Sequence, residues 1–250
     1  LHRGDDPRAL IDIARPLVDR LTQRGAEMEA LHAISLLGRA QVAASLPEDA
    51  VHSFTRVLDA ATGEENPGYL AQIRQTRAGE LMDLDRYAES FADLQAAVEL
   101  YTQVDGKFEI GSALRMAAVS AHYAGDTPAA ADCLSRAEQV YDELSVEQPV
   151  DYERARLDFA RADITRAADP DRAEVLFDSV IERAQAANWL ALAINALHQS
   201  AAMAVHRSNE DPAQAELARQ RIDAGLRLDP EHPGFRALAE DLDGLSFDDD

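Results

Sequence analysis

The hydrophobic positions of this chain recur with the spacing of helix faces. In three stretches, 45–60, 85–100 and 125–141, a small residue is followed by a large apolar residue four positions later. A small or medium residue comes three positions after that. The three stripes are Ala50, Phe54 and Val57; Ser90, Leu94 and Ala97; and Ala130, Leu134 and Ala137. An i, i+4, i+7 stripe is one face of an α-helix, so the pattern predicts three similar amphipathic helices.

Equivalent positions in these stripes lie 40 residues apart, and the same interval relates an upstream stretch of each unit. The equivalent pairs of residues in that stretch are Leu37-Gly38, Arg77-Ala78 and Ala117-Ala118. We therefore expect units of two helices, a first helix that carries these pairs and a second helix that carries the stripe. Two further units with less regular spacing are predicted after residue 150.

The ends of the chain predict partial units. Residues 1–25 predict a leading helix, either a half repeat or an N-terminal cap, with Asp6 at its start. Its expected apolar stripe is Leu10, Ile13, Leu17 and Leu21. Because the chain starts at Leu1 and not at Met, a fragment of a longer protein and a natively capped array are both open interpretations.

Residues 26–230 predict five helix pairs, and residues 231–250 predict a capping helix followed by an acidic tail. The capping helix is expected to contain Phe235, Leu238 and Leu242. Earlier in the chain, Pro47, Asp126 and Pro128 are expected at the starts of helices. We expect the tail to be disordered.

Composition favours an all-α protein. The 250 residues are 46% hydrophobic and 28% charged, with 12 Gly and 10 Pro. A net charge of −22 disfavours nucleic-acid partners and anionic membranes. No apolar run is long enough to span a membrane. The single cysteine, Cys133, suits a reducing compartment and a buried position, so we expect a cytoplasmic protein.

The phased residues resemble the tetratricopeptide repeat family. The matching residues are Ile34, Leu37-Gly38, Ala50 and Phe54; Tyr87, Leu94 and Ala97; Gly125-Asp126, Ala130, Leu134 and Ala137; and Leu228-Asp229-Pro230. The resemblance implies a right-handed α-α superhelix of antiparallel helix pairs. It also implies a concave wall of first helices that binds peptides or partner helices. The repeats here are 40 residues long in place of the usual 34. Repeats of this greater length resemble those of bacterial signal-sensing regulators and motor-protein light chains.

Catalytic motifs are missing from the sequence. We find no Gly-rich phosphate loop, no His-Glu-x-x-His and no cysteine pair, so we expect no enzyme activity, no cofactor and no metal site. His198 and His206 lie eight residues apart, too far to share a metal from one helix. We expect structural or solvent roles for the histidines.

Arginines at two core-like positions are the most informative polar residues. Arg74 and Arg77 stand where Ile34 and Leu37 stand in the preceding unit. Such arginines either pair with nearby carboxylates or face the groove as anchors for an acidic group. The candidate peptide-binding residues of the groove are Arg39, Arg74, Arg77, Arg115, His122, Asn195 and Gln199.

Two functional hypotheses follow. The first is a non-catalytic scaffold or adaptor module that binds a protein or peptide of unidentified sequence in its groove. The second is a ligand- or peptide-sensing regulatory domain of a larger bacterial protein. The apolar segment that begins at Trp189 predicts either burial or a self-association surface, which leaves monomer and homodimer both open.

Overall fold

A computed structural model describes residues 6–62, 65–146, 148–209 and 211–244. Within these ranges the regular secondary structure is entirely α-helical. The twelve helices described are α1 (Pro7–Gln23), α2 (Glu27–Ala43), α3 (Pro47–Asp59), α4 (Pro67–Asp83), α5 (Tyr87–Gln103), α6 (Lys107–Tyr123), α7 (Thr127–Leu144), α8 (Asp151–Thr165), α9 (Pro170–Ala186), α10 (Leu190–Arg207), α11 (Pro212–Leu228) and α12 (Pro233–Gly244). The predicted acidic tail lies outside the described residues after residue 244.

The helices form two compact units, Leu1–Val146 with α1 to α7 and Glu147–Asp250 with α8 to α12. In each unit consecutive helices pack against one another as antiparallel neighbours, so the expected all-α array of helix pairs is confirmed. The division into two units was not predicted from the sequence. The predicted boundaries of a leading helix, an array of pairs and a cap stay predictions, as does the right-handed superhelix.

The helices of the first unit start at regular intervals. Its first helices, α2, α4 and α6, each have 17 residues. They begin at Glu27, Pro67 and Lys107, and the second helices α3, α5 and α7 begin at Pro47, Tyr87 and Thr127. The helices of the second unit begin at other intervals. A 40-residue period for the repeats of this chain stays a prediction.

Helix starts follow the predicted capping chemistry. Pro47 and Pro128 lie in the first turns of α3 and α7, where no amide hydrogen is needed. The Asp126 carboxylate accepts a hydrogen bond from the Ala129 N–H at 3.0 Å. Asp6 caps α1 in the same way through the Arg8 N–H, also at 3.0 Å. These side chains bond amides that the helix itself leaves unpaired.

Each turn inside a pair of the first unit contains one residue with left-handed backbone. These residues are Ser45 with φ 55°, Asp85 with φ 57° and Gly125 with φ 86°. A left-handed residue reverses the chain after a helix within very few residues. The cost to Ser45 and Asp85 is steric, because their Cβ atoms crowd the backbone in this conformation.

The cores combine large side chains with alanines that let helices approach. In the first unit Phe54, Leu94 and their alanine neighbours are fully buried, and Cys133 is buried as predicted. Burial raises the pKa of the Cys133 thiol above its ordinary value. In the second unit Phe177 and Phe235 are fully buried. Close interdigitation of this kind is what holds such arrays together.

Trp189 occupies the N-cap position immediately before α10, and its side chain makes no capping hydrogen bond. Its ring packs edge-on against Tyr152, with the ring centroids 5.2 Å apart, and it covers the core of the second unit. Leu190, the first residue of α10, is half exposed.

The predicted apolar stripe of α1 requires correction. The structure buries Ile11 and Val18, each 4% exposed, whereas Ile13 and Leu17 are 67% and 39% exposed. The reason is that α2 is the only described helix that packs extensively on α1. One neighbour covers one face of a helix, so the rest of the apolar stripe stays in solvent.

Candidate functional site

Side chains of consecutive first helices in the first unit contact one another along one wall. The Arg39 Nη2 of α2 donates to the Gln72 Oε1 of α4 at 2.7 Å. The Gln75 Nε2 of α4 donates to the Ser112 Oγ of α6 at 3.3 Å and lies 3.6 Å from the Met116 sulfur. We call Arg39, Gln72, Gln75, Ser112 and Met116 the first-helix wall. It joins three helices by polar contacts.

A buried tyrosine fixes the middle of the wall. The Tyr101 hydroxyl of α5 donates to the Gln75 Oε1 at 2.9 Å. Burial, with a smaller effect from Glu109, raises the pKa of Tyr101 to about 12, so the hydroxyl keeps its proton at neutral pH. Gln75 is therefore held from both sides, whereas Arg39 and Gln72 are exposed and accessible to a ligand.

Two clefts open beside the wall at equivalent places in successive pairs. One has a volume of about 320 Å³ and includes His32, Asn66 and Tyr69. The other has a volume of about 470 Å³ and includes Gln72, Tyr101 and Glu109. Each lies where a second helix ends and the next first helix begins. The fold therefore places a concave surface next to the exposed polar groups of the wall.

Arg74 and Arg77 point away from the first-helix wall, towards second helices. Both bond to Asp93 of α5, Arg77 through Nε at 2.6 Å and Arg74 through Nη1 at 3.0 Å. Arg77 also donates to the Thr55 hydroxyl of α3 at 2.8 Å. This is the arrangement in which core-like arginines pair with a nearby carboxylate, and it connects α3, α4 and α5.

Arg115 and His122 both lie on α6. Arg115 is half-buried at the position equivalent to Gln75 in the preceding pair. The His122 ring meets Tyr123 edge-on with centroids 5.1 Å apart, and Tyr123 stacks on Tyr87 at 5.0 Å. His122 is thus beside an aromatic stack at the carboxyl end of α6.

Gln199 makes a similar contact between first helices in the second unit. The Arg166 Nη1, at the end of α8, donates to the Gln199 Oε1 of α10 at 2.7 Å. Arg166 also pairs with Asp163 at 3.4 Å. Asn195 is exposed one turn earlier on α10. The second unit therefore also pairs an arginine with a glutamine across two first helices.

Several residues of these networks were not predicted from the sequence, among them Gln72, Asp93 and Arg166. For Asp93 a signal exists, because it stands 40 residues after Ser53 and 40 before Cys133. A carboxylate at a core position opposite two core-position arginines indicates a compensating pair. Gln72 and Arg166 stand at solvent-facing positions, where the sequence offers no such contrast.

In the ranges that the structure describes, no group of three or more His, Cys, Asp and Glu side chains is placed to hold a metal ion. Over the same residues, none of the helices combines the length and the apolar character needed to cross a membrane.

No protein-family model and no curated protein matches this sequence. Among solved structures, the chain is similar to a tetratricopeptide repeat protein from Parabacteroides merdae, with 16% identity, a TM-score of 0.47 and coverage of 96% of this chain and 99% of that one. It is also similar to the C-terminal part of a TPR repeat-containing protein from Cytophaga hutchinsonii, with 15% identity, a TM-score of 0.35 and coverage of 92% and 99%. Both belong by name to the family that the sequence motifs resemble.

Proposed function

We propose that this chain is a non-catalytic protein-binding module that holds an extended peptide against the first-helix wall of its first unit. The observation that carries the proposal is the bonded series from Arg39 to Gln72 and from Gln75 to Ser112 across three helices. A peptide backbone presents donors and acceptors at regular intervals, and side-chain amides offer both. The exposed amide of Gln72, which Arg39 holds on the wall, suits that ligand.

Arg39 gives the proposed site its charge preference. Its guanidinium bonds to the neutral amide of Gln72, whereas the guanidiniums of Arg74 and Arg77 bond to the carboxylate of Asp93. Among the described residues Arg39 forms no ion pair, so it brings a positive charge to the wall in a chain of net charge −22. A charge-assisted hydrogen bond to a carboxylate is stronger than one to a neutral group, so we expect peptides with an acidic residue to be preferred.

The other candidate residues take different parts in this proposal. Arg115 and His122 extend the surface on α6, and Gln199 and Asn195 form the corresponding surface of the second unit. Arg74 and Arg77 are assigned to stability, because Arg77 bonds to Thr55 of α3 and Asp93 of α5, and Arg74 bonds to the same Asp93. We further propose a cytoplasmic location, which the buried single thiol of Cys133 supports.

The test is selection of extended peptides from a random display library on purified wild-type chain. The selected peptides are then measured against two variants. One variant, Arg39→Glu with Gln72→Ala, reverses the charge and removes the exposed amide of the wall. The matched control, Arg136→Glu, makes the same charge change at an exposed position of the second helix α7.

We expect wild type and Arg136→Glu to bind the same acidic peptides and the wall variant to lose them while keeping its circular dichroism spectrum. Equal binding by the wall variant would contradict the proposed site. Selection of basic peptides would contradict the charge preference alone.

A further inference from the structure

The face of α1 that points away from α2 exposes apolar residues whose equivalents in later second helices are buried. Ile13 is 67% exposed and Leu17 is 39% exposed. The equivalents of Ile13 are Ser53, Asp93 and Cys133, and those of Leu17 are Val57, Ala97 and Ala137, all of them 4% exposed or less. In each later pair the first helix of the same pair packs on this face. The surface of α1 therefore has the shape of a second helix without its first helix.

The neighbouring surface of α2 leads to the same conclusion. Leu36 is 65% exposed, and its equivalent two pairs later is Met116. Met116 and Ser112 contact Gln75 of the preceding first helix, α4. Leu36 thus stands at a position that, further along the array, meets the preceding first helix.

Together these side chains line an apolar groove of about 450 Å³ between α1 and α2, here called the N-terminal groove. It is lined by Leu10, Ile13, Ala14, Leu17, Ala33, Leu36, Arg39 and Ala40, so Arg39 belongs both to this groove and to the first-helix wall. A contiguous exposed apolar surface is more often an interaction site than the rest of a protein's surface is. A helix antiparallel to α1 is the element that fills the equivalent place in every later pair of the unit.

The last helix of the second unit shows the opposite design. α12 buries Phe235 and Leu242 and turns Arg236, Glu240 and Asp241 to solvent. A polar outer face is what closes an array end in water. The apolar outer face of α1 therefore contrasts with the polar outer face of α12.

We propose that the N-terminal groove is a dimer interface in which α1 of a second copy packs antiparallel on α1. The charges of α1 support this occupant. On the face that carries Ile13 and Leu17, Asp6 lies at the start of the helix and Arg20 and Arg24 lie at its end, all three exposed. Arg8 and Asp19 lie on other faces of α1. An antiparallel pair that sets Ile13 opposite Leu17 of the second copy also sets Asp6 opposite Arg24. A parallel pair would place like charges together.

In this dimer each α1 occupies, on the other copy, the place that a first helix fills in the later pairs. Leu36 of each α2 packs against the α1 of the second copy. The antiparallel direction also brings the helix dipoles into favourable opposition. Three large apolar side chains from each copy make a small interface, so a weak, concentration-dependent dimer is expected. The groove and the first-helix wall share Arg39 alone, and the dimer rests on the apolar residues Ile13, Leu17 and Leu36.

The first test is the oligomeric state of the full chain across a concentration series, by sedimentation velocity. Wild type is expected to shift from monomer to dimer as concentration rises. Ile13→Glu and Leu17→Glu place a charge in the interface and should raise the dissociation constant at least about tenfold. The matched control is Val175→Glu, which changes an apolar residue 69% exposed on α9 of the second unit and should behave as wild type.

The second test probes the antiparallel register by disulfide formation in a Cys133→Ser background. A mixture of Ile13→Cys and Leu17→Cys copies should form the mixed disulfide faster than either copy forms its own. Faster self-linking of Ile13→Cys would overturn the register. A wild-type chain that stays monomeric throughout overturns the dimer and leaves the groove to a different helix. A dimer unchanged by Ile13→Glu overturns the assigned surface.

Discussion

Arg77 and Asp93 form a two-point ion pair across the interface of α4 and α5. The Arg77 Nε lies 2.6 Å from the Asp93 Oδ2, and its Nη2 lies 2.7 Å from Oδ1. The Asp93 side chain is only 5% exposed, and Arg74 adds a further bond at 3.0 Å. One buried carboxylate therefore holds two guanidiniums. At the equivalent places the preceding pair has Ile34, Leu37 and Ser53, and the Ser53 hydroxyl donates to the Gln41 Oε1 at 2.7 Å.

We predict that Asp93→Asn lowers the free energy of unfolding by about 2 to 4 kcal/mol. The substitution keeps the size of the side chain but leaves two positive charges close together without a counter-charge. Removing one partner of a buried pair costs more than the pair contributes, because the remaining charge stays desolvated. Urea denaturation followed by circular dichroism measures the change.

The neighbouring pair supplies a control for this prediction. Arg74→Ile, Arg77→Leu and Asp93→Ser together install the residues found at equivalent positions, Ile34, Leu37 and Ser53. Because no charge is left buried, we expect the triple variant to unfold within about 1 kcal/mol of wild type. A loss as large as that of Asp93→Asn would show that the ion pair itself provides the stability.

Hydrophobic periodicity predicts which face of a helix is apolar, but it does not predict whether that face is buried. The stripe of Ala50, Phe54 and Val57 predicted a buried helix face correctly, because all three are at most 3% exposed. The stripe of α1 was equally clear, yet Ile13 and Leu17 are exposed. Periodicity identifies the apolar face of a helix, but burial depends on how many helices pack on that face.

Polar partners were harder to predict for a different reason. The chain has 46 acidic residues, and any of several could have paired with Arg77. Asp93 was identifiable only by comparing equivalent positions, since it replaces a residue that is small in the neighbouring pairs. The bond from Arg39 to Gln72 joins two exposed side chains, and helical periodicity predicts exposure without predicting partners.

Two helix-interior glycines should respond to alanine in opposite directions. At Gly111 of α6 a Cβ atom would lie 2.5 Å from the ring of Tyr141, which is 1% exposed. At Gly79 of α4 the nearest atom would be the Met116 methyl at 3.9 Å. We predict that Gly111→Ala lowers the free energy of unfolding by about 1 to 3 kcal/mol through overpacking.

Gly79→Ala should instead raise it by up to about 1 kcal/mol, because alanine is the better helix former and the site has room. Thermal unfolding of both variants beside wild type measures the two changes. The same sign for both substitutions would contradict the packing difference between the two sites.

The stability of the second unit should fall as the solution becomes acidic. His198 of α10 packs against His232 and Phe235, with ring centroids 5.5 Å away in each case. Burial, and secondly the charge of His232, lower the pKa of His198 below its ordinary value of 6.5. Between these two pKa values the unfolded chain binds more protons than the folded one, so stability is lost as pH falls through about 6.5.

The substitution His198→Gln removes this titration and should flatten the dependence of the free energy of unfolding between about pH 7.5 and about pH 5.5. His206→Gln is the matched control, because His206 is exposed on the same helix. Unfolding in urea at the two pH values gives both slopes. An unchanged slope in His198→Gln would assign the acid sensitivity to other groups.

The left-handed turn residues of the first unit allow a reciprocal exchange. Gly125 has φ 86°, and a Cβ atom there would meet nothing within 4 Å. Gly125→Ser should therefore lower the free energy of unfolding by about 1 kcal/mol for backbone reasons alone. Ser45, with φ 55°, carries that strain already, so Ser45→Gly should raise it by about 0.5 kcal/mol, the relief being partly offset by the greater entropy of unfolded glycine.

The double variant Ser45→Gly, Gly125→Ser decides between a local and a shared origin of these effects. The two turns belong to different helix pairs, and effects at independent sites add. Chemical denaturation should therefore give a double variant about 0.5 kcal/mol less stable than wild type, the difference between the two single changes. A clearly non-additive result would show that the turns are coupled through the packing of the array, so that strain at one turn is relieved by movement at the other.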